Sequence, residues 1–263
     1  MVLIHGLGSA GYMEWRFNLP SLAGAHRVYA PDLPGFGRSD KPRTRYGIPY
    51  FAATLAEYMR GRGLRSAAVV GASLGGRVAL ELALDHSELV DRLVLVNSFG
   101  LGRPALKPLY LLVGVPRLGE ALVKTLGSGL RRARAEELRL VAAHYMGAGV
   151  DVERVIDEGY LEDMRQLYAA EGYGDAYVGT VRSLLTPAGL LGGPQLLARV
   201  ARKRLPVQLI WGSADTLFPL QHARDAHRVL PGSLLVVIEG AGHTPQAERP
   251  DQFNHALEAF LRA

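Results

Sequence analysis

The chain has 263 residues, 48% hydrophobic and 21% charged, a balance that supports a buried core and excludes a disordered segment. It has no cysteine, which excludes disulfides, thiolate catalysis and cysteine-based metal sites. The net charge is +5, but the densest basic run, Gly129–Arg139, carries its own acids at helical spacing, so a solvated helix face is expected and no nucleic-acid partner.

The opening MVLIHGLGS has no basic leader and only a short apolar run, so a cytoplasmic location is expected. Val2–Ile4 reads as a strand running into His5 and Gly6. Arg27–Ala30 reads as a second strand, followed by the turn-rich DLPGFGRSD. Phe51, Leu55, Tyr58 and Met59 recur at helical spacing, which predicts a helix over Pro49–Arg62. Ala67–Val70 reads as a third strand, Leu74–Asp85 as a helix and Leu93–Val96 as a fourth strand. Val207–Trp211 and Leu234–Ile238 complete the strands, and Gln252–Leu261 reads as a closing helix. Alternation of strands and helices predicts an α/β fold with a mostly parallel open sheet.

The alternation stops between Arg103 and Leu205. That stretch has helical patterning throughout, with breaks expected at Gly127–Gly129, Gly147–Gly149, Gly172–Gly174 and Thr186–Pro194. A mainly helical insert or lid, together with the helix returning to the core, is expected over 103–204, with 1–102 and 205–263 forming the core. Its most apolar part, LYLLVGVPRLGEALV, is interrupted by Pro116, Arg117 and Glu120, so no membrane span is expected.

One serine stands among small residues in VVGASLGGRVAL. Gly71-Ala72-Ser73-Leu74-Gly75 has the form G-x-S-x-G, preceded by a strand and followed by a helix. Such a turn is tight and strained, and it lifts the hydroxyl clear of the sheet edge; neighbouring side chains would clash with other backbone. A serine hydroxyl needs a base, and the base an orienting acid. His243 follows a strand in VVIEGAGHTPQAERP, and Asp215 follows a strand in VQLIWGSADTLFP. The order Ser73, Asp215, His243 fits a Ser…Asp…His arrangement at the carboxyl ends of neighbouring strands. Structural roles compete for each: a helix cap for Ser73, a turn for Asp215, a surface position for His243. Asn97 and Ser98, after the fourth strand, are poor substitutes for the acid. His5 and Asp32 read as structural and loop-shaping. For the remaining histidines no acid partner is apparent, and no pair has metalloenzyme spacing.

HGLGS, DLPGFGRSD, GASLGG, WGSADTLFP and GAGHTPQAERP, in that order, resemble the α/β-hydrolase superfamily, in its cap-bearing branch of serine esterases and carbon–carbon bond hydrolases. The resemblance implies nucleophile Ser73, acid Asp215, base His243 and oxyanion donors at the Leu7 and Leu74 amides. It implies hydrolysis of a small hydrophobic ester with no cofactor; carbon–carbon cleavage, acyl transfer and a low-turnover receptor are its alternatives. Thr244 follows His243 where carbon–carbon hydrolases often carry an aromatic residue. Met13, Trp15, Phe99, Tyr145 and Phe218 are candidate pocket walls. The family places two further strands ahead of the His-Gly strand. If Met1 is the true start, the strand at Arg27–Ala30 becomes an exposed edge that invites a homodimer.

Overall fold

The computed structural model describes residues 1–102, 108–186 and 193–263, the side chains of 193 and 194 excepted. Five parallel strands lie side by side in chain order: β1 (Val2–Ile4), β2 (Ala67–Ala72), β3 (Val90–Val96), β4 (Val207–Gly212) and β5 (Leu234–Ile238). Alternate side chains enter two cores, as a strand period of two requires. Ile4, Val69, Leu93, Leu95, Leu209 and Trp211 face one core; Leu3, Val70, Val94, Val96 and Ile210 face the other. Both faces are buried, which explains the nearly unbroken apolar strands.

Helices cover the two faces. In chain order they begin with α1 (Gly11–Trp15), α2 (Leu19–Ala23), α3 (Ile48–Gly61) and α4 (Leu74–Asp85). α3 buries Phe51, Leu55 and Met59 in the first core beside α4. The last helices of the chain are α12 (Leu220–Val229), α13 (Pro245–Glu248) and α14 (Pro250–Arg262). α12 joins the first core through Ala223 and Ala226; α2 and α14 seal the second through Leu22, Phe253 and Leu257. The expected strand at Arg27–Ala30 reduces to one parallel bridge between Val2 and Tyr29. Three hydrogen bonds hold it: Leu3 N–H to Tyr29 O, Tyr29 N–H to Met1 O, and the Met1 ammonium to Arg27 O.

Between β3 and β4 the described residues contain helices and no strand: α5 (Pro108–Gly114), α6 (Leu118–Arg132), α7 (Ala135–Ala143), α8 (Val152–Val155), α9 (Glu158–Ala169), α10 (Tyr173–Leu184) and α11 (Gly193–Ala201). α6 runs straight through the break expected at Gly127–Gly129. A Cβ on either glycine would meet nothing within 4 Å, so both sit on an open helix face, where glycine costs about 1 kcal/mol and does not end a helix. The helix instead ends at Ala133, so Gly129–Arg139 is two helices meeting at a corner. The break expected at Gly172–Gly174 is the left-handed Gly172 that starts α10. The one expected at Thr186–Pro194 lies largely outside the described residues. Small cores form within these helices, around Leu138, Val155, Ile156 and Leu161, and around Val113, Val178 and Val181. Leu167, Tyr173 and Ala176 pack into the first core of the sheet.

A bidentate ion pair ties the helices together. Arg182 on α10 donates to both oxygens of Glu120 on α6, at 2.6 and 2.8 Å, and to the carbonyls of Gly114 and Val115. The Arg182 hydrogen bonds hold the Glu120 carboxyl down at about 2. Both side chains are about a third exposed or more, so Glu120→Gln should cost no more than about 1 kcal/mol at pH 7. A depressed carboxylate stabilises above its ordinary value and loses that contribution as pH falls toward its folded value. Urea melts should therefore separate wild type from variant above pH 4.5 and bring them together near pH 2.

Candidate active site

The carboxyl ends of all five strands meet in one place. Ser73 sits between β2 and α4 with φ 52° and ψ −116°, a conformation that costs a non-glycine residue of order 1–3 kcal/mol. The strain is held by backbone bonds: Ser73 N–H to Val96 O at 3.0 Å, and the amides of Gly76 and Phe99 to Ser73 O. The flanking glycines are sterically required. A Cβ on Gly71 would strike the Gly75 carbonyl, and one on Gly75 would strike the Ile4 carbonyl and lie 2.7 Å from His5 O.

Asp215 and His243 meet across β4 and β5. His243 Nδ1 is 2.9 Å from Asp215 Oδ2. Oδ1 of the same carboxylate accepts the amides of Leu217 and Phe218 at 2.7 and 3.1 Å. Burial pushes the Asp215 carboxyl up; the bond and charge of His243, with Asn97 and the Phe218 amide, outweigh it and hold the group below its ordinary value. It therefore stays ionised and keeps His243 Nδ1 protonated, leaving Nε2 free to accept. Ser73 Oγ makes no hydrogen bond among the described residues. The structure thus pairs His243 with Asp215 and sets Ser73 at the same sheet end. Contacts between serine and base are often loose without substrate.

The amides of Leu7 and Leu74 have no acceptor among the described residues, so both can donate to a ligand. His5 shapes the first of these loops. Its Nδ1 is 2.8 Å from Gly6 O, and its Nε2 accepts the Leu33 amide at 2.9 Å. Burial pushes its pKa below the usual histidine value, against the Gly6 hydrogen bond and the charges of Asp32 and Glu14; both nitrogens are committed. Asp32 accepts the amides of Gly11 and Arg38 and so pins DLPGFGRSD to α1.

Two residues that the sequence reading did not single out, or set aside, complete the site. Asn97, at φ 40° after β3, donates to Asp215 Oδ2 at 2.5 Å and to Gly242 O at 3.3 Å, and accepts the Gly212 amide. It is a brace for the acid, not a replacement for it. Glu248 on α13 is 1% exposed. Its carboxylate accepts the amides of Gly147, Gly242 and Thr244, with the Thr244 hydroxyl at 3.1 Å. It thereby clamps the His243 loop to the segment after α7, where Tyr145 O accepts the His243 amide at 2.8 Å. Glu248→Gln puts an amide donor against backbone donors in a site closed to water. We expect a loss on the order of 3 kcal/mol, read as a melting temperature lower by roughly 5–10 °C; an unchanged melting temperature would refute this clamp.

Of the expected pocket walls, Phe218 lies with its ring 5.2 Å from that of His243, and the Phe99 ring lies 5.9 Å from that of Phe218, tilted by 57°. Tyr145 meets His243 through its backbone. Trp15 is fully buried in the second core against Phe253, and Met13 is buried in the first; both are packing residues, because α1 turns them away on opposite sides. Among the remaining histidines, His26 does have an acid partner, Glu258 at 3.2 Å, between α2 and α14. No group of three or more metal-ligating side chains occurs among the described residues, and no described helix is long and apolar enough to cross a membrane.

A parallel α/β sheet with a strained serine turn and an Asp–His pair at its carboxyl end defines the α/β-hydrolase class. The family model for the alpha/beta hydrolase fold matches residues 1–250, and the chain belongs to that family. It is 30% identical over 272 residues to an uncharacterized protein of Mycobacterium tuberculosis, covering 99% of this chain and 74% of that one. It is 28% identical to a pimeloyl-[acyl-carrier protein] methyl ester esterase of Aeromonas hydrophila, covering 99% and 94%. The solved 2-hydroxy-6-oxo-6-phenylhexa-2,4-dienoate hydrolase of a Rhodococcus species is 25% identical, with a TM-score of 0.77 and coverage of 100% and 90%.

Proposed function

We propose that the protein is a serine hydrolase that cleaves a carboxylic ester of a small hydrophobic substrate through an acyl-enzyme. The observation that carries this reading is the strained Ser73 at the sheet end that also holds the Asp215–His243 pair. Ser73 Oγ attacks the ester carbonyl while His243 Nε2 takes its proton, and Asp215 holds the imidazole in that tautomer. The Leu7 and Leu74 amides receive the oxyanion, each worth roughly 3–4 kcal/mol in comparable sites. His243 then protonates the leaving alcohol, and water, activated by the same base, frees the acid. The helices α5 to α10 act as the lid, α11 returns the chain to the core through Leu196, Leu197 and Val200, and Phe99, Phe218 and Tyr145 bound the acyl pocket beneath the lid.

The likeness to the Rhodococcus hydrolase favours a second reading, hydrolysis of a carbon–carbon bond in a ring-fission diketone. Thr244 beside His243 weighs against it. A p-nitrophenyl ester series, run with wild type and Ser73→Ala, decides between them. Multiple turnover lost in the variant supports the esterase, and the chain-length optimum sizes the pocket. A folded wild type inactive on every ester, yet active on a vinylogous diketone, supports the alternative.

A further inference from the structure

Glu14 brings a carboxylate to the proposed site that the mechanism does not use. Its direction is fixed by its neighbours on α1, since Met13 and Trp15 are anchored in opposite cores. Oε1 accepts the side-chain amide of Gln246, three residues beyond His243, at 2.6 Å. Gln246 is itself 1% exposed, so the contact is shielded from water on that side. Oε2 accepts nothing from any described residue. It points at the loop of the candidate oxyanion donors. A Cβ placed on Gly6 would lie 3.3 Å from Ser73 Cβ and 3.7 Å from Glu14 Oε2. The reacting serine and this carboxylate therefore flank the same backbone position.

No described cation neutralises it. Arg16, two residues on, is spent elsewhere: its guanidinium donates to Asp157 at 3.0 Å and to Val155 O at 2.7 Å, and it stacks on Phe17 and Tyr160. His5 is kept uncharged by burial, with both ring nitrogens engaged. The charge of Glu14 is felt nearby, because after burial it is the next cause raising the Tyr160 phenol above its ordinary pKa. Uncompensated charge in a partly desolvated site acts strongly on a charged ligand.

We propose that Glu14 is a specificity-determining residue that selects substrates bearing a cationic group near the scissile ester and rejects those bearing a carboxylate there. This rests on the ester-hydrolase reading and names the substrate class that such a site would favour. Selection works in both directions: attraction for an ammonium group, and repulsion of an anion added to the repulsion of the developing oxyanion.

The test uses three p-nitrophenyl esters with the same three-methylene spacer: those of 4-(trimethylammonio)butanoic acid and its neutral isostere 5,5-dimethylhexanoic acid, and the monoester of glutaric acid. The quantity read is the ratio of kcat/KM for the cationic ester to that for the anionic one. We expect Glu14→Gln, and Glu14→Ala as a second neutral variant, to lower this ratio by roughly tenfold or more. Ratios equal to that of wild type in both folded variants overturn the proposal. A binding arm separates its failure from failure of the esterase reading. In Ser73→Ala, calorimetry compares 4-phenylbutyltrimethylammonium with 4-phenylbutyrate, with and without Glu14→Gln. Tighter binding of the cation that Glu14→Gln abolishes supports the proposal even if no ester is turned over. Charge-blind binding overturns it even if every ester is hydrolysed.

Discussion

Ser73→Ala is expected to lower kcat for ester hydrolysis by about 10⁶-fold while leaving the melting temperature within a degree or two of wild type. The size follows from the role: removing the nucleophile of a serine triad costs about as much as removing the whole triad. The small structural effect follows from the geometry. Ser73 Oγ makes no hydrogen bond among the described residues, so deleting it orphans no donor or acceptor. The bonds that hold the turn, from Ser73 N–H to Val96 O and from Gly76 and Phe99 to Ser73 O, are all backbone and survive in alanine. Alanine bears the same positive-φ strain as serine. Ser73→Gly should relieve it, gaining about 1 kcal/mol at the same loss of activity. Some residual rate over water should remain, because the amides of Leu7 and Leu74 are untouched. Turnover within tenfold of wild type would show that the hydroxyl is not the nucleophile; a collapsed melting temperature would show that the turn needs the side chain.

The sequence carried the elbow because each of its constraints is local. A β-branched run, five small residues and an apolar helix lie within twenty positions, and Leu74–Asp85 forms the helix over the range its periodicity predicts. The Asp215–His243 pair was legible for a related reason, since each residue directly follows a strand in a loop of turn formers. Asn97 and Glu248 were hidden by distance. Asn97 meets Asp215 at a separation of 118 residues, and Glu248 meets Gly147 at 101. Nothing in the local pattern of either residue marks it as buried and bonded; the fold alone brings their partners to them. Glu14 was hidden the same way, paired with Gln246 across 232 residues.

Misreadings came from residue type without direction. Met13 and Trp15 follow the His-Gly loop and are bulky, so they resembled pocket walls. The short helix α1 sends them to opposite cores and leaves Glu14 between them on the site side. Gly127 and Gly129 resembled a break because glycine is a poor helix former, yet one helix spans both. Propensity of about 1 kcal/mol per residue is a weak signal against the packing of a fifteen-residue helix. Arg27–Ala30 has strand composition, but Val2–Ile4 offers only a short partner, and a single bridge forms between them.

Asp215→Asn is expected to lower kcat by on the order of 10⁴-fold, with a loss of stability that Ser73→Ala does not show. The carboxylate uses both oxygens as acceptors, and the side chain is fully buried. Oδ1 takes two backbone amides, from Leu217 and Phe218, so an asparagine keeps its carbonyl there. Its amide nitrogen then falls where Oδ2 was, facing His243 Nδ1 and the Asn97 amide at once. Against Asn97 this is donor against donor in a buried site, which costs roughly 1–3 kcal/mol. Against His243 it selects the opposite tautomer. Nδ1 must now accept, the proton moves to Nε2, and the ring can no longer take a proton from Ser73. The two consequences separate experimentally. Asn97→Ala loses the bonds to Gly212 and Gly242 in either background, but it should lower the melting temperature less in Asp215→Asn, where it removes a facing donor, than in wild type, where it removes a partner. It should recover none of the rate, because the tautomer is still wrong. Recovery of rate in the double variant would mean that Asp215 acts only as a structural anchor, and that the base is oriented by something other than this carboxylate.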